Sequence, residues 1–266
     1  MHHTGVGGVP LSRVEKERRA RGIGGMKKQD TRFHWWTLVH SFLCLTAGIT
    51  LLGFPFERLA MMLLFIFIPY GIASFLVLLL LQWENAFRVP NLISLIRLII
   101  GTVVLSLFQE DRNTGYPEFF LLAAAGFSDM LDGLVARRLG STPFGAKLDM
   151  ELDAYFIFLL SVICAVSRSV GSWILTAGLI RYAYVFVLLS LPEVQKLPGI
   201  VRWTEKSIAA FSTGALVALT APFLPLQARE LFGFVTVALL GSSFLLDMVY
   251  RILYGRTSTR RKLGHI

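Results

Sequence analysis

The sequence predicts an all-α polytopic membrane protein of about eight spans. Hydrophobic residues make up 55% of the 266 and charged residues only 16%, with a mean hydropathy of +0.63. Several uninterrupted apolar runs reach the roughly 20 residues that a helix needs to cross a bilayer. Charge collects in the tails and connections rather than inside the runs. The alternating pattern of a transmembrane barrel is absent.

Residues 1–33 are Gly-rich and basic, without apolar periodicity, and are expected to form a mostly disordered cytoplasmic tail. Runs 35–54 and 59–82 read as two spans joined by the short turn Gly53-Phe-Pro55-Phe-Glu-Arg58. Trp83 to Asn91 is more polar and suits a short interfacial helix, with Pro90 near the first turn of the helix that follows. Six further spans are expected at 92–109, 117–139, 144–167, 171–191, 206–225 and 230–253, with connections rich in Gly, Pro, Ser or charge. This divides the chain into a tail (1–33), an additional pair of spans (34–82), a core (83–254) and a second basic tail (255–266).

The formal charge of +9 does not signal nucleic acid, because no groove-reading motif accompanies it. Arg13, Lys16, Arg18, Arg19, Arg21, Lys27, Lys28 and Arg32 precede the first span, and Arg251, Arg256, Arg260, Arg261 and Lys262 follow the last hydrophobic stretch. The loops on that same side add Arg88, Arg137, Arg138, Lys196 and Arg202, against Arg58, Arg112, Arg168 and Arg229 opposite. The positive-inside rule therefore places both termini, and the turn at 140–144, in the cytoplasm. No cleavable signal peptide is expected, since the basic lead and the first apolar run are both too long. Cys44 and Cys164 fall in separate apolar runs and read as buried small residues. The histidines (His2, His3, His34, His40, His265) are scattered and suggest no metal site.

The most informative stretch runs from Asp129 to Asp153, where four aspartates interrupt sequence that is otherwise apolar enough to enter a membrane. At roughly 2.5–3.5 kcal/mol each, four such charges cost on the order of 10–14 kcal/mol, so something must offset them. A divalent metal does this well, because carboxylate oxygens suit hard cations. Asp129 and Asp132 share one helix face; Asp149 and Asp153 share a face of the next helix. A tight turn between them makes the two helices antiparallel neighbours that aim both pairs at one point, a geometry suited to two metal ions. Glu151 lies roughly 200° around from Asp149 and is expected off this site. Gly133, inside a helix at a cost of about 1 kcal/mol, marks close approach of a base, a phosphate or another helix. Ala136 extends the same low-relief surface, and Arg137 is placed to pair with a phosphate. Gly140 to Lys147 only superficially resembles a phosphate-binding glycine loop, having no preceding strand and no Ser or Thr after the lysine.

Asp129, Asp132, Gly133, Ala136, Arg137, Gly145, Asp149 and Asp153 together resemble the signature of the CDP-alcohol phosphotransferase family, D-x2-D-G-x2-A-R-x8-G-x3-D-x3-D. Seven residues rather than eight separate Arg137 from Gly145, a departure that falls at the turn. Pro90-Asn91-Leu-Ile-Ser94-Leu-Ile-Arg97 resembles the opening of that family's first core helix. The resemblance implies a six-helix core over about residues 83–254, preceded here by two extra transmembrane helices. It implies transfer of a substituted phosphate from a CDP-linked donor to an alcohol, with release of CMP. It implies that Asp129, Asp132, Asp149 and Asp153 bind two Mg2+ or Mn2+ ions and that Asp153 is the general base. Gly133, Ala136 and Gly145 would shape the cytidine pocket, while Asn91, Ser94 and Arg137 would contact the nucleotide.

The leading expectation is CDP-diacylglycerol as donor and a hydroxylated acceptor, giving a phospholipid. Arg181 and Lys206 are candidates for holding an acceptor phosphate, with pairing to an aspartate or a lipid phosphate as the alternative for either. The stretch Met150-Glu151-Leu152 replaces the Pro-Leu-Ala common in glycerophosphate-using members, which argues against phosphatidylglycerophosphate as product. A second enzyme reading has a soluble CDP-alcohol donate to diacylglycerol. A divalent-cation transporter should instead carry midplane acids on broken helices and an internal repeat, and none is visible. An inactive scaffold is at odds with the intact aspartate set. A homodimer, and membrane lipids as surroundings, are also compatible with the sequence.

Overall fold

The computed structural model describes residues 13–53, 70–76, 89–107, 115–139, 143–167, 169–191 and 199–263. Within them, the side chains of 13–30, 89–91, 93–94, 106–107, 129–143, 199–203, 206 and 254–263 lie outside the description. All described regular structure is helical. We number the helices α1 (Arg13–Gly53), α2 (Val89–Leu107), α3 (Tyr116–Leu139), α4 (Pro143–Val166), α5 (Leu175–Leu188), α6 (Gly199–Leu219) and α7 (Leu226–Leu263). Residues 70–76 are also helical, and a 3-10 turn, Ser172–Ile174, leads into α5.

The starts of the helices follow local chemistry. Pro90, Pro117 and Pro143 sit in the first turns of α2, α3 and α4, where a missing N–H costs nothing and the fixed φ suits the helix. Glu118 adds a carboxylate to the positive end of α3. Inside the apolar runs, Thr46, Thr50, Thr102, Thr213 and Thr236 each donate to the carbonyl one turn earlier, so their hydroxyls are satisfied within their own helix. At the α6–α7 turn the Arg229 guanidinium donates to the Ala221 carbonyl at 2.8 Å. Glu230 accepts from the Gly171 N–H and from Trp173 Nε1 at 3.3 and 3.2 Å, tying α7 to the turn before α5.

Two stretches differ from expectation. Residues 13–33, expected to be disordered, continue α1 backward to Arg13. Their Arg, Lys, Glu and Ala residues are good helix formers, and extending a nucleated helix costs far less than starting one. At the other end, α7 runs on through the basic tail to Leu263. The turn at 54–58, most of the span 59–82, the interfacial helix up to 88 and the turn at 140–142 lie outside the described residues.

By its contacts the chain divides into two units, Met1–Val39 and His40–Ile266. In the first, the Phe33 and Trp36 rings meet at 5.9 Å between centroids. In the second, α4 is the central helix, with every residue from Ala154 to Ala165 buried. An apolar helix buried all round must be surrounded by others, and α4 packs against α2, α5 and α6. α2 also packs against α3, α3 against α6, and α7 against α5 and α6. The order α2–α3–α6–α4–α2 therefore closes a ring of four helices.

Thr31–Gly53 and Leu226–Leu253 are long and apolar enough to cross a membrane. Leu231, Phe234, Leu245, Val249 and Leu253 on α7 are exposed, as lipid-facing side chains are. The protein is a helical membrane protein.

Candidate active site at one end of the bundle

α3 delivers positions 129 and 132 in its last turns, and α4 delivers Asp149 and Asp153 in its first turns. At 1.5 Å per residue, 132 and 149 lie about 10 Å from the helix ends they flank, and 129 and 153 about 15 Å. The two pairs thus occur at matching depths. Among the described residues, α2 and α6 each pack against both of these helices.

Asp153 is one-third exposed, and its Oδ1 accepts from the Arg97 guanidinium on α2, which is buried to 2% exposure. Arg97 also lies over the Phe156 ring, 5.5 Å from its centroid. Gly101 brings α2 close to α4 here, since a Cβ at this position would lie 3.1 Å from the Phe156 ring. Arg97 occurs in the motif at the start of α2, yet the sequence does not mark it as part of the site. The available signal is its own position: a cation inside an apolar helix needs a partner. Positions 91, 94 and 97 recur every three residues, so Asn91 and Ser94 occupy the face of α2 that carries Arg97. The side chains of Asn91, Ser94, Asp129, Asp132, Gly133, Ala136, Arg137 and Lys206 lie outside the description, and only their helix positions are known. Gly145 lies in the first turn of α4.

Arg181 has a definite partner. Its guanidinium donates to Oε1 of Glu151 at 2.8 Å, with the carboxylate buried to 1% exposure. Glu151 points away from the Asp149–Asp153 face, as its spacing requires. It is not idle there, and Arg181 is committed to this pair on the far side of α4. The partner is thus a glutamate, where the sequence alone offers an aspartate or a lipid phosphate as the alternative to an acceptor. The physical reason is the cost of burying either charge alone.

Asp149 and Asp153, one turn apart and offering only oxygen, fit a hard divalent ion. Among the described residues no group of three or more His, Cys, Asp or Glu converges as a metal site. The remaining two aspartates of the signature have undescribed side chains. Cys44 and Cys164 are both free and buried, as expected.

The family model for CDP-alcohol phosphatidyltransferase matches residues 87–245, more than half of the chain and the whole four-helix ring. The chain belongs to this family. It is thereby a transferase of phosphate-containing groups. A CDP-diacylglycerol--glycerol-3-phosphate 3-phosphatidyltransferase of Pseudomonas fluorescens is 30% identical over 146 residues, 51% of this chain and 73% of that protein. A cardiolipin synthase (CMP-forming) / mitochondrial hydrolase fusion protein of Schizosaccharomyces pombe is 35% identical over 167 residues, 54% of this chain. A chloroplastic CDP-diacylglycerol--glycerol-3-phosphate 3-phosphatidyltransferase of Oryza sativa is 31% identical over 130 residues, 48% of this chain. The chain spans only 27% and 37% of the last two relatives. No solved structure matches it significantly. α1 and residues 70–76 lie outside the matched segment.

Proposed function

We propose that this protein transfers a phosphatidyl group from CDP-diacylglycerol to a hydroxylated acceptor, releasing CMP, in phospholipid biosynthesis. The observation that carries the reading is the Asp149–Asp153 face of α4 meeting Arg97 of α2, inside the family-matched segment. The names of the Pseudomonas fluorescens and Oryza sativa relatives support the donor. Asp129, Asp132, Asp149 and Asp153 would hold two Mg2+ or Mn2+ ions. When bound, such ions offset the charge of the diphosphate and of the departing CMP.

The chain's own residues do the rest. Asp153 removes the proton of the acceptor hydroxyl as its oxygen attacks the phosphatidyl phosphorus. The bond from that phosphorus to the CMP oxygen breaks, and CMP leaves with the electron pair. Arg97 orients the Asp153 carboxylate. Gly133, Ala136 and Gly145 give the cytidine a surface without side-chain relief. Asn91, Ser94 and Arg137 contact the nucleotide. Lys206 is the cation proposed for an acceptor phosphate, since Arg181 is held by Glu151. The site opens to the cytoplasmic leaflet, with both termini on that side. Residues 83–254 form the catalytic core, and 34–82 form two further spans.

The test is CMP release by purified protein in lipid with Mg2+ or Mn2+. CDP-diacylglycerol is offered with glycerol 3-phosphate, phosphatidylglycerol, inositol phosphate, inositol, serine or choline, with Asp153→Asn as control. Release dependent on one acceptor supports the reading and names the product. Silence with this donor, and release from CDP-choline plus diacylglycerol, would reverse the roles of lipid and soluble substrate.

A further inference from the structure

α4 carries its aspartates on one face and a second set of contacts on the opposite one. Glu151 and Tyr155, one turn apart, share that back face. Glu151 is tied to Arg181 of α5. Tyr155 is met by elements from outside the family-matched segment. His40 of α1 is fully buried, and its ring lies 5.3 Å from Tyr155, 5.3 Å from Phe75 and 5.8 Å from Tyr182 of α5, between centroids. Tyr70 stacks on the same imidazole at 6.1 Å. Tyr155 also meets Phe75 edge-on at 5.6 Å.

This is close packing rather than incidental contact. His40, Cys44, Ala47 and Leu51 form one buried stripe of α1 at helical spacing. A Cβ on Gly48 would run into the Leu179 side chain, and one on Gly71 would run into the Tyr155 phenol. Gly53, on the same helix, faces open space. α1 is therefore fitted to α4 and α5 through its glycine and its histidine.

We propose that α1 is a positioning element for the aspartate face of α4. Tyr155 lies two residues beyond Asp153, about 200° around the helix. Wedging Tyr155 between His40, Phe75 and Gly71 fixes the rotation of α4 about its axis. That rotation sets the direction of Asp149 and Asp153 toward the ring and toward Arg97. Glu151–Arg181 sets the same rotation from α5. The inference rests on the reading that these aspartates bind the divalent ions.

The test uses the full-length protein in detergent with two readouts: Mn2+ binding, from the electron paramagnetic resonance of free Mn2+, and CMP release per folded molecule. His40→Ala is expected to weaken Mn2+ binding and to lower turnover by about tenfold or more, with His40→Phe recovering most of both by restoring the ring. Normal Mn2+ binding and normal turnover in folded His40→Ala would overturn the proposal and leave α1 as an anchor.

A second measurement needs no variant. Coupling between sites is reciprocal, so Mn2+ should slow alkylation of Cys44 in the wild-type protein several-fold. The effect should vanish in Asp149→Ala. An unchanged Cys44 rate at saturating Mn2+ overturns the coupling even if His40→Ala fails to fold. If wild-type protein binds no Mn2+ at all, the metal reading fails instead; His40→Ala and His40→Phe turnover then decides the positioning role alone.

Discussion

The Arg97 guanidinium donates to Oδ1 of Asp153 across the α2–α4 interface, joining the motif at the start of α2 to the aspartate motif. Removing one partner of a fully buried pair costs about 3–5 kcal/mol; a third of Asp153 is exposed, which puts this pair below that range. Arg97→Ala should lower the unfolding midpoint in detergent and reduce CMP release by at least about a hundredfold, by releasing the carboxylate from its productive direction. Asp153→Asn in the Arg97→Ala background should recover part of the stability and none of the activity. Equal unfolding midpoints for wild type and Arg97→Ala would show that the pair contributes nothing to the fold.

Asp149→Ala and Asp129→Ala should each abolish divalent-dependent CMP release while leaving the helical content unchanged. The check is a Mn2+ titration of turnover alongside circular dichroism. Full activity in either variant would remove that residue from the metal set.

Asp153→Asn keeps an oxygen donor but cannot take a proton from the acceptor. Mn2+ binding should weaken modestly, while turnover falls by roughly 10²–10⁴, the usual contribution of a general base. Loss of binding in proportion to loss of rate would assign Asp153 to metal binding alone.

Gly178 offers a packing test away from the site. A Cβ there would lie 2.7 Å from the Phe158 Cα, a backbone atom that cannot step aside, so Gly178→Ala should separate α4 from α5 and cost about 1–3 kcal/mol. Gly241 on α7 has nothing within 4 Å, and Gly241→Ala should be neutral or stabilising by up to about 1 kcal/mol. The readout is the midpoint of heat-induced loss of the monodisperse peak. Matching midpoints for the two variants would contradict the close α4–α5 approach.

The sequence by itself determined the helical membrane class and the family. Both are written in local pattern: apolar runs set by bilayer thickness, prolines at the first turns of α2, α3 and α4, and carboxylates spaced three and four apart on successive helices. It misread residues 13–33, because charge and glycine content say little about whether a helix already nucleated at Trp35 and beyond continues backward. Only the tertiary structure decided that α2 and α6 each pack against both aspartate helices, that Arg97 takes Asp153, that Arg181 takes Glu151, and that His40 of α1 reaches Tyr155. A buried charge must find a partner, and helical spacing fixes which side of its helix that partner must approach. Which helix supplies it depends on how the helices pack, and no local pattern in the chain encodes that.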